Sequence, residues 1–210
     1  LEGPGEYRTS MIRQSSVNEA TKMIFANGIR SMMRQDPDII LVGEIRDEQT
    51  AEMAFRAAMT GHQVYTTLHS NSAVGAIPRL LDIGVKPEVM EGNIIGIVAQ
   101  RLARRLCPHC KEAYGPSELE RLLLGLNDAQ YEQVRLYRAK GCERCDNRGY
   151  KGRFSLLEIL RMDAAIDELL ARRASKHELE QHAKARGFKT LADDGVRFIL
   201  NGVTSLEEVS

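Results

Sequence analysis

The four cysteines of the chain fall in two pairs with the same spacing, Cys107-Pro-His-Cys110 and Cys142-Glu-Arg-Cys145, with 31 residues between the pairs. Two CxxC pairs that converge supply the four thiolates of a closed tetrahedral zinc site, with no open position for water. A redox role for one pair is the competing interpretation, but redox motifs are rarely doubled. We therefore predict a structural zinc ion, and a helical hairpin over residues 117–138 between the pairs.

A carboxylate follows an aliphatic run, since Glu44 comes directly after Ile39-Ile40-Leu41-Val42-Gly43. An acidic residue at the end of a buried strand is what nucleotide hydrolases use to orient Mg²⁺ or the attacking water. Glu44 could equally be a solvated loop residue or form a local ion pair with Arg46. The functional interpretation is favoured by polar residues at the next predicted strand end, which are Thr66, Thr67, His69, Ser70 and Asn71.

Two histidines, His62 and His69, flank that second predicted strand. A single histidine is more often a hydrogen-bonded structural residue than a catalyst, so both interpretations stay open for each of them.

A strand, a helix and a second strand are predicted to position these side chains. Ile39–Val42 is typical of a strand buried on both faces. Asp47 can cap a helix from Glu48 to about Thr60, with Gly61 as its stop, and residues 62–68 predict another strand. In such a βαβ unit the strands are parallel, so Glu44 and residues 66–71 emerge at the edge where open α/β folds bind ligands.

Further helices are predicted around this unit. They run from a cap at Asn18 to about Arg34, from a cap at Ser70 or Asn71 to about Asp82, and from Pro87 through Ile94, Ile95, Val98 and Leu102 towards Leu106. Beyond Cys107 only residues 154–157 suggest a strand, and short helices are expected after Ala164. This pattern divides the chain into an α/β domain (1–106), a tetracysteine subdomain (107–153) and a helical region (154–210).

Composition excludes several classes of protein. Among 210 residues, 29 basic and 29 acidic side chains cancel, which argues against a uniformly basic protein that coats nucleic acid. With 43% hydrophobic residues the chain is too apolar to be disordered. The sequence contains no run of 18 apolar residues and no signal-peptide layout at its start, so a cytoplasmic location is expected. Because the chain begins with Leu, we expect it to be part of something longer.

Together the motifs resemble those of the type II secretion and type IV pilus assembly ATPases. The matching stretches are 34–47 (the Walker B region), 60–62 with 66–71 (the histidine box), 100–107, 141–145 and 149–153 (the tetracysteine region), and 190–195 with 204–208 near the end. They span nearly the whole chain in the family's order. A retraction motor of this family would lack the four cysteines, so the chain is similar to the assembly or secretion branch.

The resemblance implies the carboxyl-terminal part of a RecA-like P-loop NTPase core in a hexameric motor. Such a motor uses ATP and Mg²⁺ to drive assembly of pilin-like subunits through an inner-membrane platform protein, and nucleic acid is not an expected partner. The implied catalytic residues are Glu44 (Walker B), Glu2 (acidic box), His62 and His69, and the implied cofactor-binding residues are Arg46, Asp47 and Thr67.

Two departures from the family pattern stand out. No GxxxxGK[ST] loop occurs in the sequence, so the loop that cradles the phosphates is absent from these 210 residues. The acidic box reads Glu2-Gly3-Pro4 instead of Glu-Asp-Pro. We therefore expect the isolated chain to be inactive. The alternative is a non-enzymatic, zinc-containing adaptor that binds a protein or nucleic acid through the basic stretch from Arg135 to Arg153.

Overall fold

Ten α-helices, one short 3-10 helix (Glu143–Cys145) and six strands are assigned in the computed structural model, which describes residues 1–2, 10–17 and 24–210. In chain order the α-helices and strands are α1 (Phe25–Met32), β1 (Ile39–Val42), α2 (Glu48–Met59), β2 (Gln63–Thr66), α3 (Ala73–Ile83), α4 (Pro87–Met90), β3 (Gly96–Leu106), β4 (Glu112–Tyr114), α5 (Glu118–Leu124), α6 (Asp128–Gln133), β5 (Leu136–Arg138), β6 (Tyr150–Arg161), α7 (Ala164–Ala171), α8 (Lys176–Ala185), α9 (Leu191–Leu200) and α10 (Leu206–Val209).

The predicted βαβ unit is confirmed. Strands β1 and β2 pair in parallel, with Ile39 opposite Gln63 and Val42 opposite Thr66. Helix α2 begins at the Asp47 cap, as expected, and packs against α1. Both strands therefore end at the same edge of the sheet, two residues before Glu44 and immediately before Thr67.

Strand β1 is buried on one face only, so the prediction of burial on both faces is wrong for the described part of the chain. Ile40 and Val42 are buried, whereas Ile39 and Leu41 are 63% and 51% exposed. The alternation is that of a strand with a single covered face.

The helices beside the sheet differ from the prediction at their ends. Helix α3 is capped by Ser72, whose hydroxyl accepts from the Gly75 N–H at 3.0 Å, and not by Ser70 or Asn71. Gly84 ends α3 in the left-handed conformation, as expected. The predicted cap at Asn18 lies outside the described residues, and the described part of that helix ends at Met32.

The segment that follows α4 is a strand, and the prediction of a helix towards Leu106 is wrong. Helix α4 ends at Met90, Gly92 adopts a φ of +69°, and β3 then pairs with β6. Ile94, Val98 and Leu102 are spaced by four residues, which places side chains on one face of a helix and on one face of a strand alike. Strand pairing with the distant β6 decides between the two.

The insert between the cysteine pairs is the expected helical hairpin, except at its two ends. Helices α5 and α6 form it, but residues 136–138 make strand β5, which pairs antiparallel with β4. Two buried leucines of the insert, Leu124 and Leu126, pack with Leu136 and with Ile199 of α9 in one hydrophobic cluster.

Contacts divide the chain into two compact units. One comprises Leu1–Ile97 and Leu160–Arg186, and the other Val98–Ile159 and Gly187–Ser210. The sequence pattern suggests domain boundaries after residues 106 and 153, and these boundaries stay a prediction. Throughout the described ranges, no helix has the length and apolarity needed to span a bilayer.

Candidate functional site

Glu44 lies just beyond the end of β1, between a guanidinium and an imidazole. One carboxylate oxygen forms an ion pair with Arg46, and the other lies 3.3 Å from Nε2 of His69. The Glu44 side chain is 20% exposed, whereas His69 is 87% exposed. The local ion pair that the sequence allowed is therefore present, and the histidine that follows the second strand contacts the same carboxylate.

The charge of Glu44 follows from these neighbours. The hydrogen bond from Arg46 is the main cause that lowers the pKa of Glu44, and His69 acts in the same direction. Glu44 is consequently a carboxylate at neutral pH. It can accept hydrogen bonds from water or bind a divalent cation, whereas proton donation requires the protonated form.

Thr67 connects the two strand ends. Its hydroxyl donates to the Gly43 carbonyl at 2.6 Å, and its own carbonyl accepts from the Ile45 N–H at 3.0 Å. These two bonds fix the backbone on both sides of Glu44. The geometry gives Thr67 a positioning role, and its predicted contact with a nucleotide stays a prediction.

Glu2 lies at the same edge because backbone hydrogen bonds hold the start of the chain there. The Gly43 N–H donates to the Leu1 carbonyl at 2.7 Å, and Glu2 pairs in turn with Ser16. A Cβ on Gly43 would lie 3.3 Å from Cα of Glu2, so the two backbones pass close to each other. Glu2 is therefore adjacent to the residue that precedes Glu44. The rest of the acidic box, Gly3 and Pro4, lies outside the described residues.

Asp47 and His62 lie at opposite ends of α2. Both carboxylate oxygens of Asp47 accept from Thr50, one from its N–H at 2.8 Å and the other from its hydroxyl at 3.0 Å. Nδ1 of His62 lies 3.0 Å from the Ala57 carbonyl and 3.2 Å from the Thr60 hydroxyl, at the carboxyl-terminal end of the helix. Each side chain stabilises a helix end, and the catalytic and cofactor-binding roles inferred from the resemblance stay predictions.

The four cysteines converge on one point, as their spacing predicts. Their sulfur atoms all lie within 4.8 Å of one another. Three of the Sγ–Sγ distances are 3.8 or 3.9 Å, far beyond the ~2.05 Å of a disulfide, so all four thiols are free. Such a cluster can hold a metal ion.

Tight turns and one strand pair build this cluster. The N–H groups of Cys110 and Lys111 both donate to the Cys107 carbonyl, and those of Cys145 and Asn147 donate to the Cys142 carbonyl. Strands β4 and β5 pair between the two turns and hold them side by side.

The thiols differ in acidity because their surroundings differ. Desolvation raises the pKa of Cys110 to about 11. Desolvation also acts to raise the pKa of Cys145, but N–H donation from Cys142 and Gly149 outweighs it and lowers the pKa to about 7. Gly149 belongs to the stretch 149–153 that resembles the family's tetracysteine region, but the sequence did not predict its hydrogen bond to the Cys145 sulfur. Its position four residues after Cys145 was the available signal.

Comparisons with known proteins cover the whole chain. A family model described as "Type II/IV secretion system protein" matches residues 1–210. Type II secretion system protein E of Pseudomonas aeruginosa is 46% identical over 209 residues, which are 100% of this chain and 41% of that protein. Type IV pilus assembly ATPase PilB of Thermus thermophilus is 45% identical over 100% of this chain and 24% of that protein. The chain thus spans less than half the length of these curated relatives.

Solved structures share the fold. The pilus retraction motor PilT with bound ADP is 28% identical, with a TM-score of 0.68 over 99% of this chain and 50% of that one. The ATPase DotB of Legionella pneumophila is 22% identical, with a TM-score of 0.62 over 99% and 48%. The predicted fold class, part of a RecA-like α/β core with a tetracysteine cluster, is confirmed.

Proposed function

The chain belongs to the family of type II/IV secretion system proteins, and from that membership we propose that it is part of an ATPase that couples ATP hydrolysis to type II secretion or type IV pilus assembly. The observation that carries the proposal is the ionised Glu44 carboxylate at the strand end, which His69 contacts and which follows Gly43, where the backbone of Glu2 passes close by. The names of the relatives support the coupling to secretion or pilus assembly.

Glu44 is the residue to which we assign the orientation of the attacking water. ATP, when bound, would supply the phosphoryl group, and Mg²⁺ would neutralise the charge of its phosphates. The low pKa of Glu44 suits a carboxylate that orients water by accepting its hydrogen bonds, because an efficient general base needs a pKa near neutrality. Thr67 keeps the backbone at Gly43 in place, and Arg46 and His69 hold the carboxylate between them.

The cysteine cluster is assigned to a structural zinc ion. A tetrahedron with Zn–S bonds of about 2.3 Å has edges of about 3.8 Å, and three Sγ–Sγ distances of 3.8 or 3.9 Å fit that size. Cys107, Cys110, Cys142 and Cys145 fill all four positions. The ion would therefore stabilise the second unit and would bind no substrate.

The intact protein would act as a homohexamer in the cytoplasm, at the inner membrane, through a platform protein. These assignments follow from the resemblance of the motifs to those of the family. The 210 residues contain no GxxxxGK[ST] loop, so the isolated chain would not turn over ATP.

The test is Glu44→Gln in the intact protein, with ATP hydrolysis measured under saturating Mg²⁺ and ATP. We expect turnover to fall by about 10²-fold or more, since the charge that orients the water is lost, with an unchanged far-UV spectrum. Glu52→Gln is the matched control, because Glu52 is 59% exposed on α2 and pairs only with Arg56 among the contacts of the described chain. An adaptor without enzymatic function would have no turnover for the substitution to change. Full turnover in Glu44→Gln would contradict the proposal.

A further inference from the structure

Residues 202–208, which we call the C-terminal brace, run alongside the cysteine cluster. They follow the end of α9, continue into α10 and belong to the same compact unit as the four cysteines. Gly202 is buried, and Thr204 and Ser205 are only 0% and 3% exposed. The brace is therefore packed against its neighbours along most of its length.

The start of the brace is held by Lys111, the residue directly after Cys110. The Lys111 ammonium donates to the Gly202 carbonyl at 2.7 Å and lies 4.2 Å from the centre of the Tyr137 ring. Gly202 lies just beyond the carboxyl-terminal end of α9, where a cation is favourable. A Cβ on Gly202 would lie 2.7 Å from the Tyr137 ring, so the brace, the lysine and the ring are in close contact.

The next two residues of the brace hold the chain on the other side of the first cysteine pair. The Val203 carbonyl accepts from the N–H of Leu106, the residue before Cys107, at 2.9 Å. The Thr204 hydroxyl donates to the Arg104 carbonyl at 2.9 Å. The brace thus contacts the chain both before and after the turn that carries the first two sulfurs.

Two further contacts complete the attachment of the brace. Glu208 accepts from the Arg104 N–H at 2.8 Å and from its Nε at 2.7 Å. The hydroxyls of Ser205 and Tyr150 lie 2.7 Å apart, and Tyr150 is the fifth residue after Cys145. The brace therefore contacts segments next to both cysteine pairs.

A metal ion would fix the turn to which the brace is attached. The Cys107 carbonyl accepts from the N–H groups of Cys110 and Lys111, so the backbone of this turn positions both a sulfur and the lysine. Movement of the turn would displace the ammonium from Gly202. Two sites that share such an element influence each other by the same free energy in both directions.

We propose that the metal site and the C-terminal brace are energetically coupled, so that zinc bound by the cysteines holds the brace in place and the docked brace raises the affinity for zinc. Lys111 is the positioning residue of this device. It binds no metal itself and acts by connecting the first cysteine turn to Gly202. The inference rests on the zinc assignment within the proposed function and does not depend on ATP hydrolysis.

The test measures the zinc affinity of the intact protein by competition with a chromophoric chelator. Lys111→Met removes the ammonium and keeps an unbranched side chain, and we expect about tenfold weaker zinc binding. Because this variant also removes a positive charge near the thiolates, Thr204→Val is the sharper one. The Thr204 hydroxyl donates to Arg104, three residues before the first cysteine, and its loss should weaken zinc binding about threefold.

Lys189→Met is the matched control. Lys189 lies in the same compact unit, is exposed and makes no hydrogen bond or ion pair with any other described residue. The variant loses the same charge as Lys111→Met without touching the brace, so it should bind zinc like the wild type.

Hydrogen exchange provides the second arm, because the coupling is reciprocal. Removing zinc from the wild type should accelerate amide exchange in residues 202–208, whereas α7 and α8 in the other unit should exchange as before. The acceleration should be smaller in Thr204→Val, whose brace is already loosened when zinc is bound. If Lys111→Met loses its far-UV spectrum, Thr204→Val alone decides.

Three results would overturn the coupling and leave the zinc assignment standing. They are wild-type zinc affinity in Thr204→Val, an equal loss of affinity in Lys189→Met, and unchanged exchange of the brace after zinc removal. A wild-type protein that binds no zinc would refute the zinc assignment and the coupling together.

Discussion

Gly149 connects the two cysteine turns, and its replacement by alanine should weaken metal binding. Its N–H donates to Sγ of Cys145 at 3.2 Å, and its carbonyl accepts from the Cys107 N–H at 2.9 Å. The residue has a φ of +74°, and a Cβ there would lie 2.5 Å from Cβ of Ala139. Alanine therefore meets both an unfavourable backbone conformation and a collision.

The size of the effect can be worked out from these two terms. The left-handed conformation costs a non-glycine residue about 1–2 kcal/mol. Relieving the collision means moving the Ala139 backbone by about 1 Å, and overpacking of this kind costs about 1–3 kcal/mol. We expect Gly149→Ala to lower the free energy of unfolding by about 2–5 kcal/mol in total. Displacing groups that orient metal ligands typically costs about 10–100-fold in metal affinity.

Gly152→Ala is the matched control. Gly152 has a φ of +80°, but a Cβ there would meet nothing within 4 Å. It should lose only the conformational term of about 1–2 kcal/mol and bind metal with wild-type affinity. The free energy of unfolding is measured by urea denaturation, and zinc affinity by competition with a chromophoric chelator. Equal losses in the two variants, or wild-type zinc affinity in Gly149→Ala, would refute the reasoning.

Two further predictions concern the second unit. Leu136→Ala should lower the free energy of unfolding, measured by urea titration, by about 2–5 kcal/mol, because Leu136 is 0% exposed in a packed cluster. Leu122 is 70% exposed, so Leu122→Ala should change that free energy little. Similar losses in the two variants would contradict the assigned core. Glu208 accepts from the Arg104 side chain, the main cause of its lowered pKa, and from the Arg104 N–H. Its stabilisation is full above its ordinary pKa of about 4.3 and is lost as pH falls through the lowered folded value. Melting temperatures between pH 5 and 2 should therefore fall more steeply in the wild type than in Glu208→Gln, and parallel curves would count against the pairing.

The sequence was sufficient for the βαβ unit because its signals are local. The Asp47 cap, the aliphatic run at Ile39–Val42 and the stop at Gly61 each depend on a few neighbouring residues. The cysteine cluster was predictable for the same reason, since each CxxC pair forms its own turn.

The sequence misled where the outcome depends on distant residues, or where several neighbouring residues could play the same part. The spacing of Ile94, Val98 and Leu102 fits a helix and a strand equally, and only pairing with β6 makes β3 a strand. At α3 a run of Ser and Asn residues offers several caps, and the structure uses Ser72.

The candidate site shows the same division. Placing Glu44 at a strand end needed only the local pattern. Its contact with His69, 25 residues later, and the hydrogen bond from Thr67 to Gly43 required the register of the two strands. The spacing of Glu44 and Arg46 allowed their ion pair without requiring it.

The pairing of β4 with β5 has a consequence for how such sites are recognised in other sequences. Glu112 lies opposite Arg138, so the hairpin of α5 and α6 leaves and rejoins the fold at two points that lie side by side. Residues can therefore be gained or lost between these points without changing the distance between the two cysteine turns. A sequence search for this kind of site should require two residues between the cysteines of each CxxC pair. It should set no limit on the number of residues between the two pairs.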